Sequence, residues 1–450
     1  MRMTTGTILF LIDALIAGLA WPGALHALHC EANAFQVAGF MFMDLLFLYA
    51  LGFYRRDVFA DTTRANGRVP LTVSFAVTGS VICLASINMM PTTQAIVIAL
   101  GCFCGSALLA RFIFPLVRRN RLLRPRLLVI GAGRRAFDLI WVLGSQGRHL
   151  QYDVTFVHQD LFGPIDPRLR SDPTHHIITT SDDILYIAGR VSVDEIVVAP
   201  DNRRGMNLES LIRCRTAGYP VWQYMSFLEK EAGRIDIKRL DADWVLYSEG
   251  FTMGPLSRGL KRLSDVLASL LILVCSVGVL FPAMLAIWFE DKGPIFYRQQ
   301  RVTQGGRTFE ILKLRSMRTD SEKAGAVWAA AADTRVTRVG RFLRRSRIDE
   351  LPQLINVLKG DMSLVGPRPE RPEFIDKLAG ELPLYRERHS VRAGLTGWAQ
   401  INYPYGASLD DARSKLSYDL YYVKKSNFLL DLLIIMQTLR VLIWPGTSVR

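Results

Sequence analysis

Cysteine and histidine are scarce in this chain, at six and seven residues of 450. The cysteines (Cys30, Cys83, Cys102, Cys104, Cys214 and Cys275) form no CxxC pair, and four lie in or beside apolar runs. That pattern excludes a disulfide framework and a thiolate zinc site. The first apolar run lacks a clear cleavage site and three more such runs follow it, so no removable signal peptide is expected. Acidic residues are in the minority, 41 against 55 Lys and Arg, which leaves a net charge of +14. Half of the residues are hydrophobic, more than a soluble enzyme needs. The surplus arginines flank the apolar runs, which points to cytoplasmic loops and anionic lipid as their counterpart, not to nucleic acid. A chain of this length holds two or three units.

The four apolar runs lie at about 6–25, 35–53, 70–89 and 93–117. Each is long enough to cross a hydrocarbon layer of about 30 Å. Four arginines stand between Arg55 and Arg68 and five between Arg118 and Arg126, whereas the other two connections hold no Lys or Arg. The positive-inside rule therefore puts both ends of the bundle in the cytoplasm. Asp13 and Asp44 fall inside the runs and read as helix-pairing residues.

After the arginine exit comes Arg126-Leu127-Leu128-Val129-Ile130-Gly131-Ala132-Gly133-Arg134-Arg135-Ala136. A short apolar strand enters a glycine turn and then an amphipathic stretch, the opening βα unit of a dinucleotide fold with GxGxxA in place of GxGxxG. Segments 154–157, 195–199 and 219–221 read as further strands. Gly131 and Gly133 form a possible nucleotide-binding turn, with Arg134 and Arg135 beside it. The acid expected on a ribose is only loosely met by Asp160, so a structural or regulatory domain is expected ahead of one that turns over NAD.

A fifth apolar segment, 266–289, has Lys261 and Arg262 before it and Lys292, Arg298, Arg301 and Arg307 after it. Both flanks ask for the cytoplasm, which a spanning helix cannot give them. Pro282 removes a backbone donor, so a helix that bends there and returns resolves the conflict. Ser276, or packing around Gly278, would meet the carbonyl that Pro282 frees. A run at 427–444, interrupted by Asp431, Gln437 and Arg440, suits an interfacial helix.

Between these two segments stand Arg344-Arg345-Ser346-Arg347-Ile348-Asp349-Glu350-Leu351-Pro352-Gln353 and Gly360-Asp361-Met362-Ser363-Leu364-Val365-Gly366-Pro367-Arg368-Pro369. Adjacent carboxylates can serve as nucleophile or metal ligand, and arginines bind phosphate oxygens. An N-cap on the helical run after Leu351 explains one carboxylate and not two. Two prolines stiffen the backbone around Arg368. Arg338, Arg341, Arg345 and Arg347 read as solvated charges.

These strings, with Lys313-Leu314-Arg315-Ser316-Met317 and Asp333-Thr334-Arg335-Val336-Thr337, resemble the bacterial sugar transferase family, the polyprenyl-phosphate hexose-1-phosphate transferases that begin exopolysaccharide and O-antigen assembly. The likeness is dense from about residue 260 onward and looser before it. It implies a membrane α-helical bundle (1–120), an α/β Rossmann-like domain (121–250) and an α+β monotopic phosphoglycosyl transferase domain (251–450) with a re-entrant membrane helix at about 261–290. It implies a multi-pass protein of the bacterial inner membrane, with its catalytic domain facing the cytoplasm and two copies forming a homodimer. The substrates would be a UDP-hexose, with glucose or galactose favoured, and undecaprenyl phosphate. Asp349 would be the nucleophile, giving an aspartyl-phosphosugar and UMP, and Glu350 would bind Mg²⁺. Lys313, Arg315, Arg335, Arg344, Arg368 and Arg301 would bind phosphate. Asp361 and Asp419 are further candidates for the metal.

Two rivals remain open. Tyr421-x-x-x-Lys425 offers the Tyr and Lys of a membrane-bound nucleotide-sugar oxidoreductase or dehydratase, but no second glycine-rich βα turn lies between that pair and the middle domain. A non-enzymatic, ligand-sensing membrane scaffold would not require both Asp349-Glu350 and Arg368.

Overall fold

The computed structural model describes residues 5–27, 34–50, 126–145, 152–172, 175–240, 250–251, 253–318, 335–403, 406 and 408–443. The expected spans at 70–89 and 93–117 lie outside them. The chain separates into two compact units, Met1–Ala232 and Gly233–Arg450.

The first unit opens with two apolar helices, α1 (Thr5–Ala27) and α2 (Ala34–Ala50), which pack on each other. A five-stranded sheet follows, built from β1 (Arg126–Ile130), β2 (Asp153–His158), β3 (His176–Thr179), β4 (Glu195–Val198) and β5 (Val221–Gln223). Its order is β3-β2-β1-β4-β5 and every pairing is parallel. Helices α3 (Arg134–Ser145), α4 (Ile184–Val191), α5 (Leu208–Thr216) and α6 (Tyr224–Ala232) form the crossovers and the close of the unit. β1 and β4 are apolar along most of their length because the middle of a parallel sheet with helical crossovers is covered on both faces. Leu127, Leu128, Val129 and Ile130 of β1 are wholly buried. The strand order reverses between β1 and β4, the place where open α/β sheets leave a crevice.

In the second unit α7 (Pro255–Asp291) runs for 37 residues, roughly 55 Å at 1.5 Å per residue. Among the described residues it is the one helix long and apolar enough to cross a membrane, by length and composition. The helix is continuous across Pro282, so the break expected there is not an end of the helix. Ser276 donates to the Leu273 carbonyl and is not a partner for the carbonyl that Pro282 frees. The two ends of α7 dock on the same unit. At the N-terminal end Arg262 donates to the carbonyls of Val357 and Leu358 (2.6 and 2.8 Å), and Asp265 accepts from the Leu364 amide (3.1 Å). At the C-terminal end Ala283 and Ile287 are buried with Leu314 and Leu343. Between them Leu270, Leu271, Val274, Val277 and Phe281 are exposed.

The rest of the unit comprises an antiparallel hairpin of β6 (Phe296–Val302) and β7 (Thr308–Leu314), then α8 (Arg338–Ser346), α9 (Gln353–Lys359), β8 (Met362–Val365), α10 (Pro372–Glu381), β9 (Ala393–Thr396), α11 (Trp398–Asn402), α12 (Leu409–Lys425) and α13 (Phe428–Ile443). β8 and β9 pair in parallel. Their core joins Phe309, Ile311, Leu354, Val357, Leu364, Val365, Tyr422 and Ile434. Residues 233–240 belong with this unit. Trp398 donates its indole N–H to the Gly233 carbonyl (2.7 Å), and the Ile235 amide bonds to the Ser417 carbonyl.

Candidate active site

The site is assembled at the end of α8. Arg347 terminates that helix in the left-handed region (φ 59°), a conformation uncommon for any residue but glycine. The chain then turns through one short 3-10 segment, Ile348–Glu350, before α9 begins. The turn puts Asp349 inward, 7% exposed, with its Oδ1 buried and without a hydrogen-bond partner. Burial raises its carboxyl first, and the neighbouring Glu350 raises it further. Lys313, Arg344 and Arg347 oppose both, and the balance leaves the group at about 6.

Glu350 faces the opposite situation. Burial alone would raise its carboxyl, but Arg368, Lys313 and Arg347 outweigh that and hold it well below the usual carboxylate range. Its Oε1 accepts from Arg368 Nη2 (3.0 Å) and Lys313 Nζ (3.3 Å), with Arg347 Nη1 at 3.6 Å. Three cations around one carboxylate leave a net positive site next to a carboxylate with an unused oxygen. That combination suits an incoming phosphate.

The framework behind these side chains is rigid. Lys313 sits on β7, which α9 grips through Asn356: its Nδ2 donates to the Glu310 carbonyl (2.8 Å) and its Oδ1 accepts from the Leu312 amide (3.0 Å). Arg344 donates from Nε to Ser316 Oγ (3.1 Å). The Gly340 backbone lies so close to Ser316 that a Cβ there would collide with its carbonyl. Arg368 also donates to Gln400 Oε1 (2.9 Å).

Several expected site residues are used otherwise. Arg315 forms a two-pronged pair with Asp291 at the end of α7, with Nη1 on Oδ2 at 2.8 Å, which ties it to that helix. Arg301 donates to the Pro369 carbonyl (3.2 Å) and to Gln299 (2.6 Å), which makes it a support of the Pro-Arg-Pro loop. Arg335 accepts at its carbonyl from the Arg318 amide. Asp361 follows the left-handed Gly360 at the far end of α9, a helix about 10 Å long that separates it from the dyad. Asp419 is paired with Arg388 (2.7 Å) inside the core. Conversely Arg347, read from sequence as a solvated charge, stands beside Glu350, and Gln400 and Asn356 were not anticipated.

Among the described residues no group of three or more His, Cys, Asp or Glu is placed to hold a metal. The dyad offers two carboxylates, one with a free buried oxygen. Mg²⁺ accepts one or two carboxylates when substrate phosphates and waters complete its shell. The residues present therefore fit a Mg²⁺ shared with a diphosphate, and not a metal caged by protein alone.

The glycine turn of the first unit is built differently. Gly131 adopts φ 102°, and a Cβ there would lie 2.8 Å from Pro200 Cα. Asp201, just after β4, accepts from the amides of Arg134 (2.7 Å) and Arg135 (2.8 Å) at the head of α3. A Cβ at Gly133 would collide with that carboxylate. The two amides that would meet a pyrophosphate are thus satisfied by the chain's own acid. Asp160 stands two residues beyond the end of β2 with its side chain fully exposed. Tyr421, half of the Tyr…Lys pair, stacks on Trp398 with centroids 5.7 Å apart.

A family model described as bacterial sugar transferase matches residues 256–445. Over 261 residues the chain is 41% identical to the UDP-N-acetylgalactosamine-undecaprenyl-phosphate N-acetylgalactosaminephosphotransferase of Aeromonas hydrophila, an alignment covering 57% of this chain and 60% of that protein. It is 42% identical over 191 residues to the UDP-glucose:undecaprenyl-phosphate glucose-1-phosphate transferase of Caulobacter vibrioides, covering 41% and 72%. It is 38% identical over 192 residues to the uncharacterized sugar transferase EpsL of Bacillus subtilis (strain 168), covering 42% and 89%. The chain belongs to the bacterial sugar transferase family.

Proposed function

We propose that this protein transfers a sugar-1-phosphate from a UDP-sugar to undecaprenyl phosphate, releasing UMP, as the first membrane step of exopolysaccharide or O-antigen synthesis. The observation that carries the reading is Asp349: a buried carboxylate with an unpartnered oxygen, one residue from a carboxylate ringed by Lys313, Arg347 and Arg368. Asp349 attacks the sugar-proximal phosphorus. The bond from that phosphorus to the bridging oxygen breaks and UMP leaves. An oxygen of undecaprenyl phosphate then attacks the same phosphorus, and the aspartyl bond breaks to restore Asp349. Dividing one transfer into two steps predicts ping-pong kinetics. Lys313 and Arg368 hold the donor phosphates, and their charge stabilises the transferring group. Glu350 would hold Mg²⁺, which would supply charge neutralisation for the leaving UMP.

α7 supports the membrane placement. A straight crossing would carry one end of the helix away from the unit, whereas both ends dock on it. A bent, re-entrant course with the exposed middle in lipid keeps both ends and their arginines on the cytoplasmic side. We place the protein in the bacterial inner membrane as a multi-pass homodimer, with the parallel-sheet unit as a Rossmann-like domain of structural or regulatory use.

Purified protein, supplied with Mg²⁺ and undecaprenyl phosphate, is assayed for UMP across UDP-glucose, UDP-galactose and UDP-N-acetylgalactosamine. Lipid-dependent release with one donor, lost in Asp349→Asn, is expected. No UMP from any donor, with folded protein, overturns the assignment.

A further inference from the structure

We propose that Arg388 and Asp419 are positioning residues that aim Arg368 at the donor phosphates, a proposal that rests on the transferase reading above. The Pro-Arg-Pro loop has an unusual supply problem. Pro367 and Pro369 have no N–H, so the loop must be held mainly through its carbonyls. All three are held. Pro367 O accepts from the Gly394 amide (2.9 Å), Arg368 O from Arg388 Nη2 (3.0 Å) and Pro369 O from Arg301 Nη1 (3.2 Å). The central one carries the residue that reaches Glu350.

Arg388 lies in the 3-10 segment Tyr385–Ser390 and is 5% exposed. Its Nη1 donates to Tyr385 Oη (2.9 Å), and its Nη2 lies 2.7 Å from Asp419 Oδ2 on α12. Asp419 is 2% exposed. Neither residue is among the cations paired with Glu350, and the contact that leads from them toward the dyad is the bond to the Arg368 carbonyl. A buried ion pair is a poor way to gain stability, because desolvating both charges offsets most of their attraction. What the pair supplies is direction. Asp419 fixes the guanidinium of Arg388, that guanidinium fixes the Arg368 carbonyl, and the Arg368 side chain then spans to Glu350 (3.0 Å) and Gln400 (2.9 Å).

The test is a double-mutant cycle on donor turnover, run in the full-length protein. With Arg368 intact, Arg388→Met is expected to lower kcat/KM about 10²-fold, the loss typical of a reacting group displaced by an ångström. In an Arg368→Lys background the same change is expected to cost less than about threefold, since the group it aims is gone. Equal losses in both backgrounds overturn the proposal, because a general structural defect would not depend on Arg368. Should Arg388→Met not fold, Arg388→Lys serves. It keeps a charge for Asp419 but lacks the fork to reach the Arg368 carbonyl as well. Its loss is expected to show the same dependence on Arg368, and full activity overturns the proposal. Wild-type protein that turns over no donor strikes the transferase reading itself, and this proposal falls with it.

Discussion

The glycine turn of the first unit and the carboxylate dyad of the second both look, in sequence, like places for phosphate, and they are wired in opposite ways. At the head of α3 two amides are available and the chain answers them with its own anion, Asp201. At the end of α8 three cations crowd Glu350 while the adjacent Asp349 keeps an unpartnered oxygen. One arrangement is charge-satisfied by the chain itself, and the other leaves an excess of positive charge beside an unpartnered carboxylate oxygen. Motifs alone do not separate these cases, because the decisive acid in the first is about 70 residues from the turn, as the pairing of positions 134 and 201 shows.

The largest expected effect is at Asp349. Asp349→Asn is expected to lower donor turnover by at least about 10³-fold, the scale seen when a nucleophile is removed. The same variant is expected to be more stable than wild type at pH 7. Asp349 holds its proton up to about pH 6 in the folded state, against an ordinary 3.8. Ionised Asp349 therefore costs the fold roughly 2–3 kcal/mol above pH 6, and nothing once both states are protonated below about 4. Melting curves from pH 8 to 4 should show the gap between variant and wild type closing as pH falls. A variant less stable than wild type at pH 7 would speak against the buried, strained carboxylate.

Turnover itself should carry the same signature. Protonation removes the nucleophile, so kcat/KM is expected to fall about tenfold per pH unit below about 6. A limb that begins near 4 would mean that Asp349 is not desolvated in the working enzyme.

At the glycine turn the comparison can be inverted. Asp201→Ala is expected to lose about 1 kcal/mol through the missing cap. In exchange, millimolar pyrophosphate should raise its melting temperature by a few degrees, as ligand linkage requires, while leaving wild type unmoved. Stabilisation of wild type by pyrophosphate or NAD would show that Asp201 yields to ligand.

The smallest effect on donor turnover is expected at Arg315. Arg315→Met should cost about 2 kcal/mol of stability through the lost bonds to Asp291, yet change donor KM by less than about threefold. A large rise in KM would return Arg315 to the phosphate-binding set.

Much of the architecture was legible because it depends on local pattern. β1, β2 and β4 are short apolar runs bounded by turn residues, and the expected strands at 154–157 and 195–199 match β2 and β4 closely. β3 carries too short a signal to be read: His176–Thr179 is a four-residue edge strand whose apolar content is the pair Ile177 and Ile178, both only half-buried. In the site, Asp349, Glu350, Lys313 and Arg368 were visible as motif residues, and they do converge. The roles of the remaining cations were not visible, because an arginine that binds phosphate and one that holds a carbonyl have the same sequence. Arg301 and Arg315 differ from Arg368 only in which backbone or carboxylate the fold brings to them. Asp419 reads as a metal candidate until Arg388, about 30 residues earlier, is seen to occupy it.

The central claim is that Asp349 forms a covalent bond to the donor's phosphorus, and intact-protein mass spectrometry tests it directly. Protein is incubated with Mg²⁺ and its UDP-sugar in the absence of undecaprenyl phosphate, then analysed alongside Asp349→Asn. The account predicts a mass gain of one sugar phosphate on wild type, mapped to the peptide containing Asp349, with an equivalent of UMP released and no gain in the variant. UMP that appears only when lipid is present, with no adduct on the protein, would contradict it.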